Sequence, residues 1–223
     1  MTKHILIIGG MGPQASVELH RRVLTVASGK NAFMGHHFPR ITHLSLPIRE
    51  FRSTTKHADQ AIAQISDAIS SVLLEKVDHA VIACNTAHLF KEAVEAQLQG
   101  RLLSLIELAV DEVQQLGAKR VGLLASTVTL QEQLYEQPLQ EAGKVVIKPT
   151  LKEQSLVEQL IGRVIAGHET TRDRIELNKL SQALINRGCH VVILGCTELS
   201  VLNRRPSRNI IDPMSLAAKA LND

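Results

Sequence analysis

The feature of this 223-residue chain that most constrains its fold is an alternation of short apolar runs with longer stretches of helical period. Such an alternation is typical of parallel βαβ units. The predicted strands are residues 3–9, 40–46, 79–84, 102–105, 119–125, 144–148, 190–195 and 209–211. Apolar residues three and four positions apart predict amphipathic helices over 13–28 and 58–73. The chain is therefore predicted to be an α/β protein with mainly parallel sheets flanked by helices.

The pattern occurs twice along the chain. The strand at 119–125 and the turn after it repeat the strand at 3–9 and its glycine-rich turn, and residues 80–86 match residues 191–197. A length of about one and a half typical domains leaves room for two small ones. We expect two similar α/β domains, residues 1–115 and 116–209, related by pseudo-twofold symmetry and not separated by a Pro- or Ser-rich linker.

Composition excludes several classes of function. Hydrophobic residues make up 44% and charged residues 21%, which is typical of a globular chain. Lys and Arg exceed Asp and Glu by only 25 to 22, and the chain has one Tyr and no Trp, which argues against nucleic-acid binding. No apolar run has the length of a membrane helix or a signal peptide. We expect a cytoplasmic protein whose three cysteines are reduced.

A glycine-rich turn follows the first predicted strand. Residues 9–15 read Gly-Gly-Met-Gly-Pro-Gln-Ala, which from Gly10 fits the Gly-x-Gly-x-x-Ala pattern of dinucleotide-binding folds. The acidic residue that holds the ribose in those folds is missing about 20 residues further on, and no Walker lysine follows. The turn is therefore predicted to bring backbone close to a small anion at a helix N-terminus.

Two cysteines stand at equivalent places in the two halves. Cys84 and Cys196 each end a predicted strand and precede a predicted helix. Ligands of parallel α/β folds bind beyond the carboxyl ends of the strands, and a helix N-terminus favours the thiolate. A single cysteine at such a place is more often a small core residue, but the duplication favours a functional pair. Cys189 has no counterpart and is interpreted as a core residue.

Two facing thiols suit the inversion of a carbon that carries an acidic hydrogen. One base removes the proton from one face while an acid delivers a proton to the other, and thiolate and thiol exchange these roles for the two enantiomers. The carbanion formed needs hydrogen-bond donors at the substrate carboxylate. The candidate donors near helix N-termini are Asn85, Thr86, Thr127 and Thr197.

Three segments carry a resemblance to a known family. Residues 9–13, residues 83–88 (Ala-Cys-Asn-Thr-Ala-His) and residues 194–198 (Leu-Gly-Cys-Thr-Glu) closely resemble the signature segments of the cofactor-independent aspartate/glutamate racemases, especially the aspartate racemase branch. The resemblance runs nearly end to end and includes residues 121–127 and 211–213. Paired cysteine segments at this spacing are a specific signal.

The resemblance implies a fold, a site and a reaction. It implies two α/β domains with the site between them, a C-terminal segment of about 210–223 that returns to the first domain, and a homodimer. Cys84 and Cys196 would be the acid/base pair, with no pyridoxal phosphate and no metal. Met11 and Arg52 join the substrate-binding candidates. His88 either orients Cys84, contacts substrate or simply packs.

The role of Glu198 is also open at this stage. It places a carboxylate behind Cys196, or it stabilises the first turn of the helix as acids at that position commonly do.

One departure from the family pattern concerns the substrate. Aspartate-specific members carry an arginine shortly after the second strand and a lysine in the second half. Arg52 aligns with the arginine, but Ile165 stands at the position of the lysine. Losing one cation predicts a weaker preference for aspartate, and so a racemase of broadened or altered specificity. Arg49 or Arg163 taking over the task is the alternative.

Other functions stay open at this point. Related enzymes that keep one or both cysteines suggest cofactor-free decarboxylation or isomerisation of a small diacid. A non-catalytic amino-acid-binding protein would keep the anion-binding loops without needing two thiols. A zinc site would use Cys84, His88, Cys189 and Cys196, but no Cys-x-x-Cys pair accompanies them. No Gly-x-Ser-x-Gly segment supports a serine hydrolase.

Overall fold

The computed structural model describes residues 2–30, 32–48, 55–204 and 207–223. The chain divides into two compact units, which are Met1–Leu105 with Met214–Asp223, and Ile106–Pro213. Each unit contains one sheet of four parallel strands. Two similar α/β domains with parallel sheets and flanking helices, as expected from the duplicated sequence pattern, are therefore confirmed.

The sheet of the first unit has the strand order β2-β1-β3-β4. Its strands are β1 (His4–Gly9), β2 (Arg40–Ser45), β3 (His79–Ile82) and β4 (Leu102–Leu103). The second sheet has the order β6-β5-β7-β8 and consists of β5 (Arg120–Ala125), β6 (Val145–Ile147), β7 (Val191–Gly195) and β8 (Ile210–Ile211). The two sheets thus have the same order, strand for strand. Every strand predicted from the sequence is present, and each is shorter than predicted by one or two residues.

Helices connect the strands in both units. They are α1 (Pro13–Gly29), α2 (Thr55–Ser70), α3 (Lys91–Leu98), α4 (Leu105–Gln115), α5 (Thr127–Gln131), α6 (Glu136–Glu141), α7 (Leu151–Ile165), α8 (Thr171–Asn186), α9 (Thr197–Leu202) and α10 (Pro213–Ala220). Short 3₁₀ turns occur at Gly35–His37, Leu74–Lys76 and Thr86–Phe90. Helix α1 begins with Pro13, whose missing N–H costs nothing in the first turn. A capping box starts both α7 and α8.

The core of the first unit is aliphatic. Leu6 and Ile8, two residues apart on β1, lie in one buried cluster with Ile65 and Ile69, four residues apart on α2. Strand side chains alternate between the faces of a sheet, while helix residues four apart share one face, so this cluster joins one face of the sheet to one face of α2. The helical pattern read from the sequence is thereby explained.

The unit boundaries differ from those expected from the sequence, which lay at 115–116 and about 209–210. The first unit ends at Leu105, so that nearly all of α4 belongs to the second unit. Strand β8 pairs with β7, which keeps residues 210–213 in the second unit. The return to the first unit therefore begins at Met214, with helix α10.

Helix α10 is held in the first unit by packing and by hydrogen bonds. Its buried residues are Met214, Ala217 and Ala218, followed by Leu221 just after the helix. Arg22 donates to the Ser215 hydroxyl at 2.8 Å, and the Asn222 amide donates to the Val23 carbonyl at 3.1 Å. Among the helices that the structure describes, none has the length and apolar character needed to span a membrane.

Candidate functional site

The glycine-rich turn after β1 is shaped by the protein's own packing. Gly10 has a φ of +92°, and a Cβ there would lie 2.3 Å from the backbone nitrogen of Leu46. A Cβ on Gly9 would lie 2.3 Å from the Cβ of Ser16. Both glycines are thus required by close approach of neighbouring segments. Met11, a predicted substrate-binding residue, lies in the same turn and packs half-buried against the core cluster of the first unit.

Cys84 lies two residues beyond the end of β3 and is half-buried. The strand is extended by one bond, from the Ala83 N–H to the carbonyl of Ile8 at 2.8 Å. The next residues, Thr86–Phe90, form a 3₁₀ helix, and α3 begins only at Lys91. The helix predicted after Cys84 is therefore present, first as a 3₁₀ helix and then as α3.

Both ring nitrogens of His88 lie within hydrogen-bond distance of backbone atoms, one of which is the carbonyl oxygen of Cys84. Nε2 accepts from the N–H of Leu105 at 3.1 Å, and Nδ1 lies 2.9 Å from the carbonyl oxygen of Cys84. Because Nε2 is an acceptor here, a neutral ring carries its proton on Nδ1 and donates it to Cys84. His88, only 7% exposed, therefore ties the Cys84 segment to the start of α4.

Cys196 directly follows β7 and is 6% exposed. Its thiol donates to Oε2 of Glu198 at 2.9 Å, and the Thr197 hydroxyl donates to the same oxygen at 3.2 Å. Burial raises the pKa of Glu198, although these hydrogen bonds act in the opposite direction. The predicted residues Cys196, Thr197 and Glu198 thus form one buried, hydrogen-bonded group.

A buried tyrosine backs this group. A Cβ on Gly195 would lie 3.2 Å from a ring carbon of Tyr135, so the ring packs against the end of β7. Burial, followed by the charges of Cys196 and Asp212, raises the pKa of Tyr135 well above its usual value. Asp212 accepts from Asn203 at 2.9 Å. Sequence reasoning did not select Tyr135, although it is the only tyrosine of a chain poor in aromatic residues.

Thr127 begins α5 at the end of β5, the strand that pairs with β7. Its N–H and its hydroxyl both donate to Oε1 of Glu158 on α7, at 2.5 and 2.7 Å. Gln154, one turn earlier on α7, donates to that same oxygen at 3.2 Å. Thr127, which was predicted to donate to a substrate carboxylate, therefore donates to a carboxylate of the protein. Neither Glu158 nor Gln154 was found from the sequence.

Four residues were considered above as determinants of substrate preference, and the structure describes two of them. Arg52 and Arg49 lie outside the described residues. Ile165 is the last residue of α7 and is 37% exposed. Arg163, considered as a replacement cation, forms an ion pair with Asp173 at 2.7 Å. Asp173 is buried in the capping box of α8, so this arginine already serves a structural carboxylate.

The zinc hypothesis finds no geometric basis in the described part of the chain. No group of three or more His, Cys, Asp or Glu residues there could hold a metal ion. Cys189 precedes β7 and Cys196 follows it, so that the strand separates the two thiols. Burial raises the pKa of Cys189, in keeping with its interpretation as a core residue.

The predicted residues are thus brought together as two groups, one in each unit. Asn85, Thr86 and His88 follow Cys84 after β3, whereas Thr197 and Glu198 follow Cys196 after β7, with Thr127 at the end of neighbouring β5. In both units the cysteine follows the third strand of the sheet.

The chain is thus an α/β protein with two parallel sheets of the same strand order and a cysteine after the third strand of each. This chain belongs to the Asp/Glu/hydantoin racemase family, whose model, described as "Asp/Glu/Hydantoin racemase", matches residues 8–221. The resemblance seen in the sequence is confirmed. The protein is an isomerase of the amino-acid racemase type.

Individual relatives cover almost the whole chain. The chain is similar to the broad specificity amino-acid racemase RacX of Bacillus subtilis, with 26% identity over 219 residues that cover 96% of this chain and 94% of that protein. The aspartate racemase of Picrophilus torridus has a similar structure, with a TM-score of 0.79, 23% identity and coverage of 98% of this chain and 92% of that one. An aspartate racemase homologue from Pyrococcus horikoshii also has a TM-score of 0.79, with 22% identity over 99% of this chain and 97% of that one. At these identities the structural likeness shows the fold.

Proposed function

We propose that the protein racemises an amino acid without a cofactor, using Cys84 and Cys196 as acid and base on opposite faces of the α-carbon. One observation carries the proposal: the two thiols occupy the same position in two sheets of the same strand order. A thiolate removes the α-hydrogen while the other thiol delivers a proton to the opposite face. The roles exchange for the other enantiomer.

The surroundings of the two thiols support a division of protonation states. The Cys196 thiol is buried and donates to Glu198, a partner that favours the protonated thiol. Cys84 is only half-buried, and its backbone is held by His88. We therefore assign the role of proton donor in the resting enzyme to Cys196 and the role of base to Cys84.

The substrate carboxylate needs hydrogen-bond donors, which strengthen as negative charge develops at the α-carbon. We assign this task to Asn85 and Thr86 beside Cys84 and to Thr127 and Thr197 beside Cys196. Met11 supplies an apolar contact. Arg52 is proposed to bind a side-chain carboxylate.

Broadened specificity is part of the proposal. Ile165 offers no charge for the side-chain carboxylate of aspartate, and Arg163 is occupied by Asp173. The similar protein RacX is itself described as a broad specificity racemase. We propose an enzyme that recognises the α-carboxylate of several amino acids.

The working state proposed here is a cytoplasmic homodimer with reduced thiols, free of pyridoxal phosphate and metal. None of the three cysteines, all of which lie in the described part of the chain, forms a disulfide. Turnover that survives dialysis against a chelator, and a dimer mass by light scattering, are the expected results.

The central experiment replaces each thiol by a hydroxyl. Cys84→Ser and Cys196→Ser should each lower racemisation by about 100-fold or more, because a serine hydroxyl is a far weaker acid than a thiol. Chiral chromatography of the products from a panel of acidic, basic and apolar amino acids measures the effect. Exchange of the α-hydrogen with deuterium from solvent can survive in one of the two variants.

Cys189→Ser is the matched control, since Cys189 is buried at the opposite end of β7. It should keep racemisation within about twofold of the parent. Near-normal turnover in both Cys84→Ser and Cys196→Ser, with unchanged circular dichroism, would exclude the two-thiol mechanism. Release of carbon dioxide from a small diacid instead of racemisation would favour the decarboxylase alternative.

A further inference from the structure

The Glu158 carboxylate accepts hydrogen bonds from Thr127, a residue that the proposed function assigns to the substrate carboxylate. Its Oε1 lies 2.5 Å from the backbone nitrogen of Thr127 and 2.7 Å from the Thr127 hydroxyl. Gln154 adds a third hydrogen bond to this oxygen at 3.2 Å. We call Thr127, Gln154 and Glu158 the α7 clasp. Thr127 is exposed, so a ligand from solvent can reach the donors that Glu158 occupies.

The α7 clasp does not satisfy all of its own polar atoms. The Gln154 amide nitrogen donates to the carbonyl of Ala125 at 2.9 Å as well as to Glu158. The amide oxygen of Gln154 is buried and, within the described part of the chain, has no hydrogen-bond partner. A buried acceptor without a donor costs free energy. The hydrogen bonds between Glu158 and Thr127 therefore form at the expense of an unsatisfied Gln154 oxygen, which lowers the free energy needed to open the α7 clasp.

We infer that Glu158 lowers the affinity for substrate by competing with the substrate carboxylate for the N–H and hydroxyl of Thr127. The inference rests on the proposed function, which assigns a substrate carboxylate to Thr127. Two carboxylates cannot both occupy these donors, because like charges at such a distance repel. Substrate must therefore displace Glu158 before it binds.

This competition sets the apparent affinity. A ligand that binds only when the α7 clasp is open has its dissociation constant multiplied by the inverse of the open fraction. A neutral amide in place of Glu158 keeps the shape of the side chain but accepts weaker hydrogen bonds and does not repel an anion. Glu158→Gln should therefore lower KM, whereas a merely structural role would lower the melting temperature or kcat and leave KM unchanged or higher.

The experiment compares the full chain with Glu158→Gln, Glu158→Ala and a control, Glu176→Gln. The control removes the same charge from α8, where Glu176 forms an ion pair with exposed Lys179 at 3.5 Å. Steady-state racemisation gives KM and kcat, and calorimetric titration with succinate gives a dissociation constant that does not depend on turnover. We expect KM and the succinate dissociation constant to fall about three- to tenfold in Glu158→Gln, with kcat within about twofold and no change in the control.

Each outcome decides the question. Racemisation by the parent with unchanged or raised KM in both Glu158 variants overturns the inference and leaves the proposed function standing. If the parent racemises no amino acid of the panel, the proposed function fails. The succinate dissociation constants of the parent and the Glu158 variants then test the competition by themselves. Tighter succinate binding in the Glu158 variants then supports it, while equal or absent binding overturns it. If Glu158→Gln does not fold, Glu158→Ala is judged by the same criteria.

Discussion

At the scale of single residues, Ile165 offers the sharpest test of substrate preference. It ends α7 with 37% of its surface exposed, and its neighbour Arg163 is held by Asp173. Ile165→Lys should raise the preference for aspartate over a neutral amino acid about tenfold, because a charge-assisted hydrogen bond to the side-chain carboxylate is regained. The measurement is the ratio of kcat/KM values for aspartate and alanine.

Ile175→Lys is the control for this change. Ile175 lies on α8 with 51% of its surface exposed, so the variant adds the same charge at another exposed helical position. It should leave the ratio unaltered. An equal ratio in Ile165→Lys and the parent would mean that position 165 does not face the side-chain pocket.

Glu198 makes a residue-scale prediction about pH. Burial raises the pKa of this carboxyl above its ordinary value of 4.5, despite the opposing hydrogen bonds from Cys196 and Thr197. The folded state then binds a proton more tightly than the unfolded state, so Glu198 costs stability progressively as the pH rises from the unfolded pKa through the folded pKa. Glu198→Gln, which stays neutral, should gain melting temperature relative to the parent as the pH rises through this window.

Thermal unfolding of parent and variant from about pH 4 to about pH 8 measures this difference. A difference that stays constant or shrinks as the pH rises would contradict the raised pKa. Racemisation should fall in the same variant, since the partner of the Cys196 thiol is changed.

At the scale of elements, the turn between β1 and α1 predicts a contrast between two glycines. Gly10→Ala should lower the free energy of unfolding by about 1–3 kcal/mol, because Gly10 has a positive φ and its Cβ would collide with the backbone of Leu46. Gly29→Ala should raise it by about 0.5–1 kcal/mol, because Gly29 ends α1 with open space where a Cβ would stand. Urea unfolding measures both, and equal effects would contradict the argument.

The elements also show how far the sequence could predict the fold. Most of the eight strands were predictable because they are short apolar runs next to polar residues or glycine, although β2 has only two apolar residues, Ile41 and Leu44. The ends of the strands were not predictable, since a strand ends where pairing with its neighbour ends. The helix type after Cys84 was not readable either. Asn85 precedes Thr86–Phe90 without a side-chain cap, whereas Ser126 caps α5 by accepting from the Thr129 N–H.

The candidate site was predictable only where it is local. Its residues lie in two short segments. His88 follows Cys84 by four residues and Glu198 follows Cys196 by two, so the spacing alone brings the members of each pair close. The contact of Glu158 with Thr127 joins residues 31 positions apart on different elements, and no local pattern announces it. Such contacts follow from tertiary packing, which a single sequence does not display.

At the scale of the whole molecule, the C-terminal residues Met214–Asp223 belong to the first unit, so their removal should destabilise that unit. Met214, Ala217, Ala218 and Leu221 are buried, and Met and Leu side chains of this kind each contribute about 1.5–3 kcal/mol when removed from water. Their combined contribution is comparable with the whole stability of a domain, about 5–15 kcal/mol.

A chain ending at Pro213 should therefore lose structure in the first unit and keep it in the second. Hydrogen exchange read by mass spectrometry should show fast exchange in β1 and β3, because they share their unit with α10, and retained protection in β5 and β7. The control is a chain ending at Asn222, which loses the exposed ion pair of Asp223 with Lys30 and the backbone hydrogen bond from Asp223 to Ala220, and which should match the parent. Equal loss of protection in both sheets would mean that the two units unfold as one cooperative body, and no loss would mean that the buried face of α10 contributes nothing to the first unit.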